Sequence, residues 1–552
     1  MPSRRLAPLV IVFCALSLAR ALAPGTTATA SRRATAAATT GVAAKPNAVL
    51  LGAPGTLLAT TRTLPTTTPG GLLAPSGATP LAHGAMLING ATPRAPRASA
   101  AATAALQAHM AHELRLAGAQ SGAYVYDMST AQTLFSERAL QRRAPASVEK
   151  LYTATTALER MGPSAQLETQ VLGVGKLAPG GVWEGNLYLH GGGDPMFGTA
   201  SFIHSHYGGV GSAVSTLATQ LEHTDGIHRV TGKVEGDESY FDSLRGEPSS
   251  GYRLDPFLEG DLSAVAFNRG ETGSERGSHA PAAFAARKLR AALRAAGVAI
   301  PGGGGAASTP AGAVRLAGVL SPTIAQLLGL TLPPSDNFFA ETLLKDLGAR
   351  FGGAGSVAPL TGATAPVTSG TPASSGVAPA NAEGTTGGAG DNEPTTGSTS
   401  PAIGSPAPAT ASPAPITGTT AAGAAVVRAT LAELGVHPQV VDGSGLSRQD
   451  ATSPYEVVTL LNGLAHTELG TILRADLAVA GRTGTLADRM RGTAAAGRCE
   501  GKTGTLIAVS NLAGYCTAAN GDELAFAFFN DGISIEAAHT LQDNMAITLA
   551  DY

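Results

Sequence analysis

Two tracts of this sequence cannot build a core, and they confine the folded protein to what remains. Residues 24–103 are dominated by Ala, Thr, Pro and Gly without a sustained hydrophobic period, as in Pro65-Thr66-Thr67-Thr68-Pro69-Gly70. Residues 353–424 are Thr, Ser, Pro, Gly and Ala with almost no charge. Neither tract buries enough apolar surface to offset the entropy of ordering it. The first is expected to be a disordered stalk, the second a disordered surface excursion that interrupts a folded domain. Globular structure is therefore expected over 104–352 and 425–552.

The N-terminus reads as an export signal over residues 1–23. Arg4 and Arg5 precede the apolar run Leu6–Leu18, and Ala21-Leu22-Ala23 supplies a small-x-small cleavage site. The run is too short to span a bilayer comfortably, so the protein is expected to be secreted, extracytoplasmic and at most peripheral to the membrane. A net charge of −3 and 5% aromatic residues leave neither a basic footprint nor a stacking platform, which excludes nucleic acid as a partner. Of three cysteines, Cys14 leaves with the signal. Cys499 and Cys516 remain as an even pair in an oxidising compartment; a disulfide is expected, with two separate buried thiols as the alternative.

Chemistry first shows at Pro145-Ala146-Ser147-Val148-Glu149-Lys150-Leu151-Tyr152. Val148, Leu151, Tyr152, Thr155 and Leu158 recur at spacings of three and four, predicting a helix that stops at Gly162-Pro163 and leaves Ser147 and Lys150 on another face. A serine in the first turn of a helix has free N–H groups and the positive end of the macrodipole beside it. A lysine three residues on can take its proton if burial or a second cation depresses the amine. The plain alternative for Ser147 is a solvent-facing helix start. Lysine usage tilts the choice: only seven of the 37 basic residues are Lys, and Lys150 and Lys502 both fall inside motifs.

Other segments read more simply. Gly122–Asp127 and Leu134–Ser136 are expected strands. From Leu167 to about Arg315 the texture turns to short strands, among them Val182–His190 and Val230–Asp237, with a tight turn at Gly191-Gly192-Gly193 and a helix over Ala282–Ala295. Ser335 is expected to cap a helix carrying Phe339, Leu343 and Leu347. Further helices are expected over Val426–Leu434 and near Tyr455–Leu464, separated by turn chemistry at Asp442–Arg448. Gly501–Leu506, Leu512–Cys516 and Leu524–Phe529 predict three antiparallel strands, with Cys499 and Cys516 symmetric about a turn near Ile507-Ala508. Gly481-Arg482-Thr483-Gly484-Thr485-Leu486 imitates the Lys502 segment, but polar residues follow it, so a loop near the active-site edge is expected.

Ser147-x-x-Lys150, Ser335-Asp336-Asn337 and Lys502-Thr503-Gly504 are each weak alone; in this order, on a helix start, a helix cap and a strand, they are a strong signal. The stretch between Ser147 and Ser335 is far longer than in β-lactamases. With Gly185–Pro195, Ser335–Glu341 and Asp442–Arg448, the chain resembles the D-alanyl-D-alanine carboxypeptidase/endopeptidase family of low-molecular-mass, class C penicillin-binding proteins.

The resemblance implies an α+β multidomain fold. A β-lactamase/transpeptidase-like domain, an antiparallel sheet flanked by helices, would take residues 104–166, 315–352 and 425–552, with a large inserted β-rich region at 167–314. It implies a serine-type D-Ala-D-Ala carboxypeptidase, with D,D-endopeptidase activity as a companion, acting on peptidoglycan stem peptides and bound covalently by β-lactams. Ser147 would be the nucleophile and Lys150 its base. Ser335 would relay a proton, Asn337 would orient Lys150 and substrate, and Lys502 would hold the substrate carboxylate and help keep Lys150 neutral. Thr503, Gly504 and Thr505 would supply carboxylate contacts and, with the Ser147 N–H, the oxyanion hole. No cofactor or metal is implied. The competing readings are a secreted β-lactamase-like hydrolase and a non-catalytic wall-binding protein.

Overall fold

A computed structural model describes residues 99–271, 280–353 and 417–552. The expected export signal, residues 24–98 of the stalk and residues 354–416 of the excursion lie outside them.

The described chain opens with α1 (Ala100–Leu116) and the hairpin β1 (Gly122–Asp127) and β2 (Gln132–Glu137). A 3-10 turn at Ala146–Glu149 runs into α2 (Lys150–Met161). The next block holds β3 (Glu168–Ala178), β4 (Val182–His190), α3 (Ala200–Tyr207), α4 (Val214–Thr219), β5 (Arg229–Val230), β6 (Val234–Asp237), α5 (Pro281–Ala295) and β7 (Val314–Leu320). Four of the helices that follow are α6 (Ile324–Thr331), α7 (Asn337–Phe351), α8 (Thr420–Glu433) and α9 (Pro454–Leu464). The chain finishes with α10 (Glu468–Ala475), β8 (Ala478–Val479), β9 (Cys499–Leu506), β10 (Val509–Thr517), β11 (Glu523–Asp531) and α11 (Ile535–Asp551).

A six-stranded antiparallel sheet in the order β2-β1-β11-β10-β9-β8 is the frame of the main domain. Its central strand β11 reads Leu524-Ala525-Phe526-Ala527-Phe528-Phe529, continuously apolar because helices cover both faces. Ala525, Ala527 and Phe529 pack with α2, α6, α7, α8 and α9. Leu524, Phe526 and Phe528 pack with α1 and α11. The period of two thus divides one run between two cores. Cys499 stands opposite Cys516 in the β9–β10 register and is disulfide-bonded to it.

The inserted region has its own sheet, β5-β4-β3-β7 with β6 also on β4, and its own core around Trp183, Leu187, Phe267 and Leu289. It is mixed: β5 and β6 run parallel to β4, and α3, α4 and α5 belong to it. Its boundary differs from the expected 314, because β7 pairs with β3 through Leu320.

Two other boundaries move outward. Ser99 caps α1 by accepting from Ala102 N at 3.1 Å, and a run of alanines carries the helix four residues ahead of the expected start. Thr419 caps α8 in the same way at 3.0 Å, so residues 420–424 of the excursion are helical. Gly423 and Gly348 let α8 lie against α7 at backbone contact; a Cβ at Gly348 would stand 2.8 Å from both Gly423 N and Thr419 O.

Candidate active site

Ser147 lies in the 3-10 turn, and the α-helix proper begins at Lys150. The face shared by Ser147 and Lys150 is not a solvent-facing one: Ser147 is half-buried and Lys150 through Leu158 are all buried, because α7, α8 and the 442–448 loop close around the helix start. The turn is fixed against the sheet by Asn511 on β10, whose Nδ2 donates to Ala144 O and Pro145 O, both at 2.9 Å. Gly504 on β9 faces the same turn, where a Cβ would stand 2.5 Å from Pro145 O and 3.1 Å from Ser147 N. Ala146, immediately before Ser147, is held at φ +48°, a conformation that a side-chain-bearing residue keeps only when its surroundings dictate it.

All three motifs meet here. Lys150 Nζ lies 2.9 Å from Ser147 Oγ, 2.6 Å from Asn337 Oδ1 and 2.7 Å from Ser444 O. Lys502 Nζ, also buried, lies 2.8 Å from both Ser335 Oγ and Thr503 O. Thr503 Oγ1 donates to Thr485 Oγ1 at 2.8 Å, which brings the Gly481–Leu486 imitation, with its 3-10 turn at Gly484–Leu486, against β9 beside Lys502. Thr505 is exposed at the open end of β9.

Ser335 does not cap α7. The cap is Asp336, whose side chain accepts from Phe339 N at 3.0 Å, while Ser335 sits one residue outside the helix at φ +68°. Its hydroxyl is thereby freed for Lys502.

Burial lowers the Lys150 ammonium to about 8, against the opposing pull of Asp442, Glu341, Asp336 and Glu149. Burial and then the nearby Lys150 charge push Lys502 well below the usual lysine range. Desolvation is the largest influence on both amines, and the repulsion between the two ammonium groups opposes their both being charged. A neutral Lys150 has two N–H groups, matching Asn337 Oδ1 and Ser444 O, and one lone pair for the Ser147 hydroxyl.

Beneath Lys150 lies a carboxyl layer. Glu341 Oε1 accepts from Gly443 N at 2.9 Å and Ser444 N at 2.8 Å, fixing the loop whose carbonyl holds the lysine. Asp442 accepts from Ser444 N at 3.1 Å, Gly445 N at 2.6 Å and Ser447 N at 2.7 Å. Glu149 is fully buried beside them, its pKa raised well above the ordinary value by burial and then by Asp442 and Glu341. Motif reading did not assign roles to Asn511, Glu341, Phe257 or Arg269, although each touches a motif residue or its support. Glu341 had a signal, standing four residues after Asn337 on one helix face. Among the described residues, no group of three or more His, Cys, Asp or Glu is placed to hold a metal ion, and no helix is long and apolar enough to cross a membrane.

The model of the D-Ala-D-Ala carboxypeptidase 3 (S13) family matches residues 102–252, 258–382 and 409–552. The chain belongs to this family. A D-alanyl-D-alanine carboxypeptidase of Actinomadura sp. (strain R39) is 31% identical over 521 residues, covering 79% of this chain and 82% of the relative. D-alanyl-D-alanine carboxypeptidase DacB of Haemophilus influenzae is 32% identical over 117 residues, 20% of this chain and 24% of that protein. The solved structure of penicillin binding protein 4 (dacB) from Haemophilus influenzae superposes with a TM-score of 0.56 at 18% identity, covering 79% of this chain and 97% of the other. The S13 chain is thus an enzyme, a hydrolase of the carboxypeptidase class, with the α+β architecture of a penicillin-binding protein.

Proposed function

We propose that this S13 enzyme is a secreted serine-type D-Ala-D-Ala carboxypeptidase that cleaves peptidoglycan stem peptides through an acyl-enzyme on Ser147. The observation that carries the reading is the environment of Lys150. Its amine is buried, lowered to about 8, and bonded to two carbonyl-type acceptors, with its third contact on Ser147 Oγ.

Lys150 takes the hydroxyl proton as Ser147 Oγ attacks the carbonyl carbon of the penultimate D-Ala. The N–H groups of Ser147 and Thr505 receive the developing oxyanion. Ser335, bonded to Lys502, passes a proton to the departing amine, and the C–N bond breaks to release D-Ala. Lys502, Thr503 and Thr505 hold the terminal carboxylate before it leaves. Water then attacks the ester, its proton returning through Lys150, and frees the serine. A β-lactam follows the same path to the ester, and its amine remains tethered in the site. In a cross-linked substrate the leaving amine belongs to the next stem peptide, which extends the same chemistry to D,D-endopeptidase action.

Exposure of the purified protein to a fluorescent penicillin tests this. Wild type should label stoichiometrically, and Ser147→Ala should neither label nor release D-Ala from a D-Ala-D-Ala-terminated peptide. Labelling of Ser147→Ala would overturn the assignment, and rapid turnover of the penicillin would favour a β-lactamase-like hydrolase. D-Ala release measured beside loss of cross-linked muropeptide divides carboxypeptidase from endopeptidase action.

A further inference from the structure

One segment of the inserted region holds the two residues that follow Ser335. Arg269 forks onto Asp336, with Nη1 donating to Oδ2 at 2.5 Å and Nη2 to Oδ1 at 3.1 Å. Its Nε donates to Glu259 O at 2.9 Å, and the guanidinium lies 4.9 Å over the Phe338 ring and 5.6 Å from that of Phe339. The side chain is only 10% exposed. Twelve residues earlier in the chain, Phe257 O accepts from Asn337 Nδ2 at 2.8 Å, which turns Asn337 Oδ1 toward Lys150. The segment adopts this course with Glu259, Asn268 and Arg269 at positive φ, followed by Gly270. Side-chain-bearing residues hold such angles only where the surroundings over-determine them. Ser335 itself, at φ +68°, is in the same condition.

We infer that Arg269 is a positioning residue for the reaction: its two-pronged hold on Asp336 keeps Ser335 in the left-handed conformation that directs the hydroxyl to Lys502. The inference rests on the assignment of Ser147 and Ser335 above. Arginine is required because its planar fork matches both carboxylate oxygens at once, which a lysine ammonium cannot do. The inserted region is then part of the catalytic apparatus, acting through Asp336 without touching the reacting atoms.

Two substitutions in the full chain test it. Arg269→Lys keeps the charge and loses the fork; Asp336→Asn keeps a good helix cap and loses the ion pair. For each, the acylation rate per labelled site, the labelled fraction, kcat and KM for a D-Ala-D-Ala peptide, and the thermal transition are measured. Displacement of Ser335 should lower the rate per labelled site, and kcat with it, by about ten- to a hundredfold in Arg269→Lys, with KM within about twofold of wild type. Asp336→Asn should move the same quantities in the same direction. A normal rate per site, whether the labelled fraction is intact or reduced, overturns the inference, because Arg269 then serves folding alone. Should Arg269→Lys fail to fold, Asp336→Asn decides by the same criterion. Failure of wild type to label at Ser147 would overturn the underlying assignment as well, whereas normal acylation by the variants of a labelling wild type overturns only the role of Arg269.

Discussion

Lys150 can accept a proton only while it is neutral, and burial sets the pH at which that holds. With its pKa lowered to about 8, the neutral fraction grows as pH rises toward that value. The acylation rate by a penicillin is expected to climb between pH 6 and 8 and to level off above, measured by stopped-flow fluorescence. Lys150→Arg, which stays protonated, should lose about 10²- to 10⁴-fold, the usual worth of a positioned base. A flat profile across this range would remove Lys150 from the role. At this scale the sequence was most informative, because Ser147, Lys150, Ser335, Asn337 and Lys502 stand in three short motifs. It was silent on Arg269 and Asn511, whose importance comes from what lies 2.5–3.1 Å away in space and not from their neighbours in the chain.

The β9–β10 hairpin carries Lys502, Thr503 and Gly504, and the Cys499–Cys516 bridge closes it at the end away from the Ile507-Ala508 turn. Cross-linking residues 17 apart removes loop entropy from the unfolded chain worth about 3 kcal/mol. The double substitution Cys499→Ser, Cys516→Ser should therefore lower unfolding free energy by about 3 kcal/mol in denaturant titrations. Acylation should be nearly unchanged, since β10 on one side and β8 on the other still hold β9 in register. Loss of acylation in a folded double variant would show that the bridge also sets the position of Lys502. The hairpin was legible from strand period, turn residues and cysteine symmetry. The cap of α7 was not, because Ser335 and Asp336 are both good capping residues and adjacent. The contact of Ser335 with Lys502, from 167 residues away, leaves Asp336 as the cap.

The whole molecule carries a cost for its buried carboxyl layer. Glu341 is raised to about 8, first by burial and then by Asp442; Glu149 is raised well above its ordinary value and Asp442 is raised too, both by burial first. The folded state thus holds protons that the unfolded chain releases near pH 4.5. Stability from these groups is fully present below that pH and is lost as pH rises toward about 8. Calorimetry should show the melting temperature falling from pH 5 to 8, with a shallower fall in Glu341→Gln; a rise over the same interval would contradict the protonated layer. Lys150 works oppositely: its lowered pKa makes folding release a proton, so its contribution recovers between about 8 and the ordinary lysine value of 10.5. Hydrophobic period, turn residues and motif order are local properties of the chain; they marked β1, β2, β9, β10 and β11 of the main sheet but not the two-residue β8, marked the helix that follows Ser147 and the cysteine pair, and the three motifs carried the resemblance to the family. Where the inserted sheet ends, which residue caps α7, why the Lys150 ammonium is lowered, and that the insertion holds Asp336 and Asn337 beside Ser335 depended on packing, because burial and long-range contact exist only once distant segments share one interior.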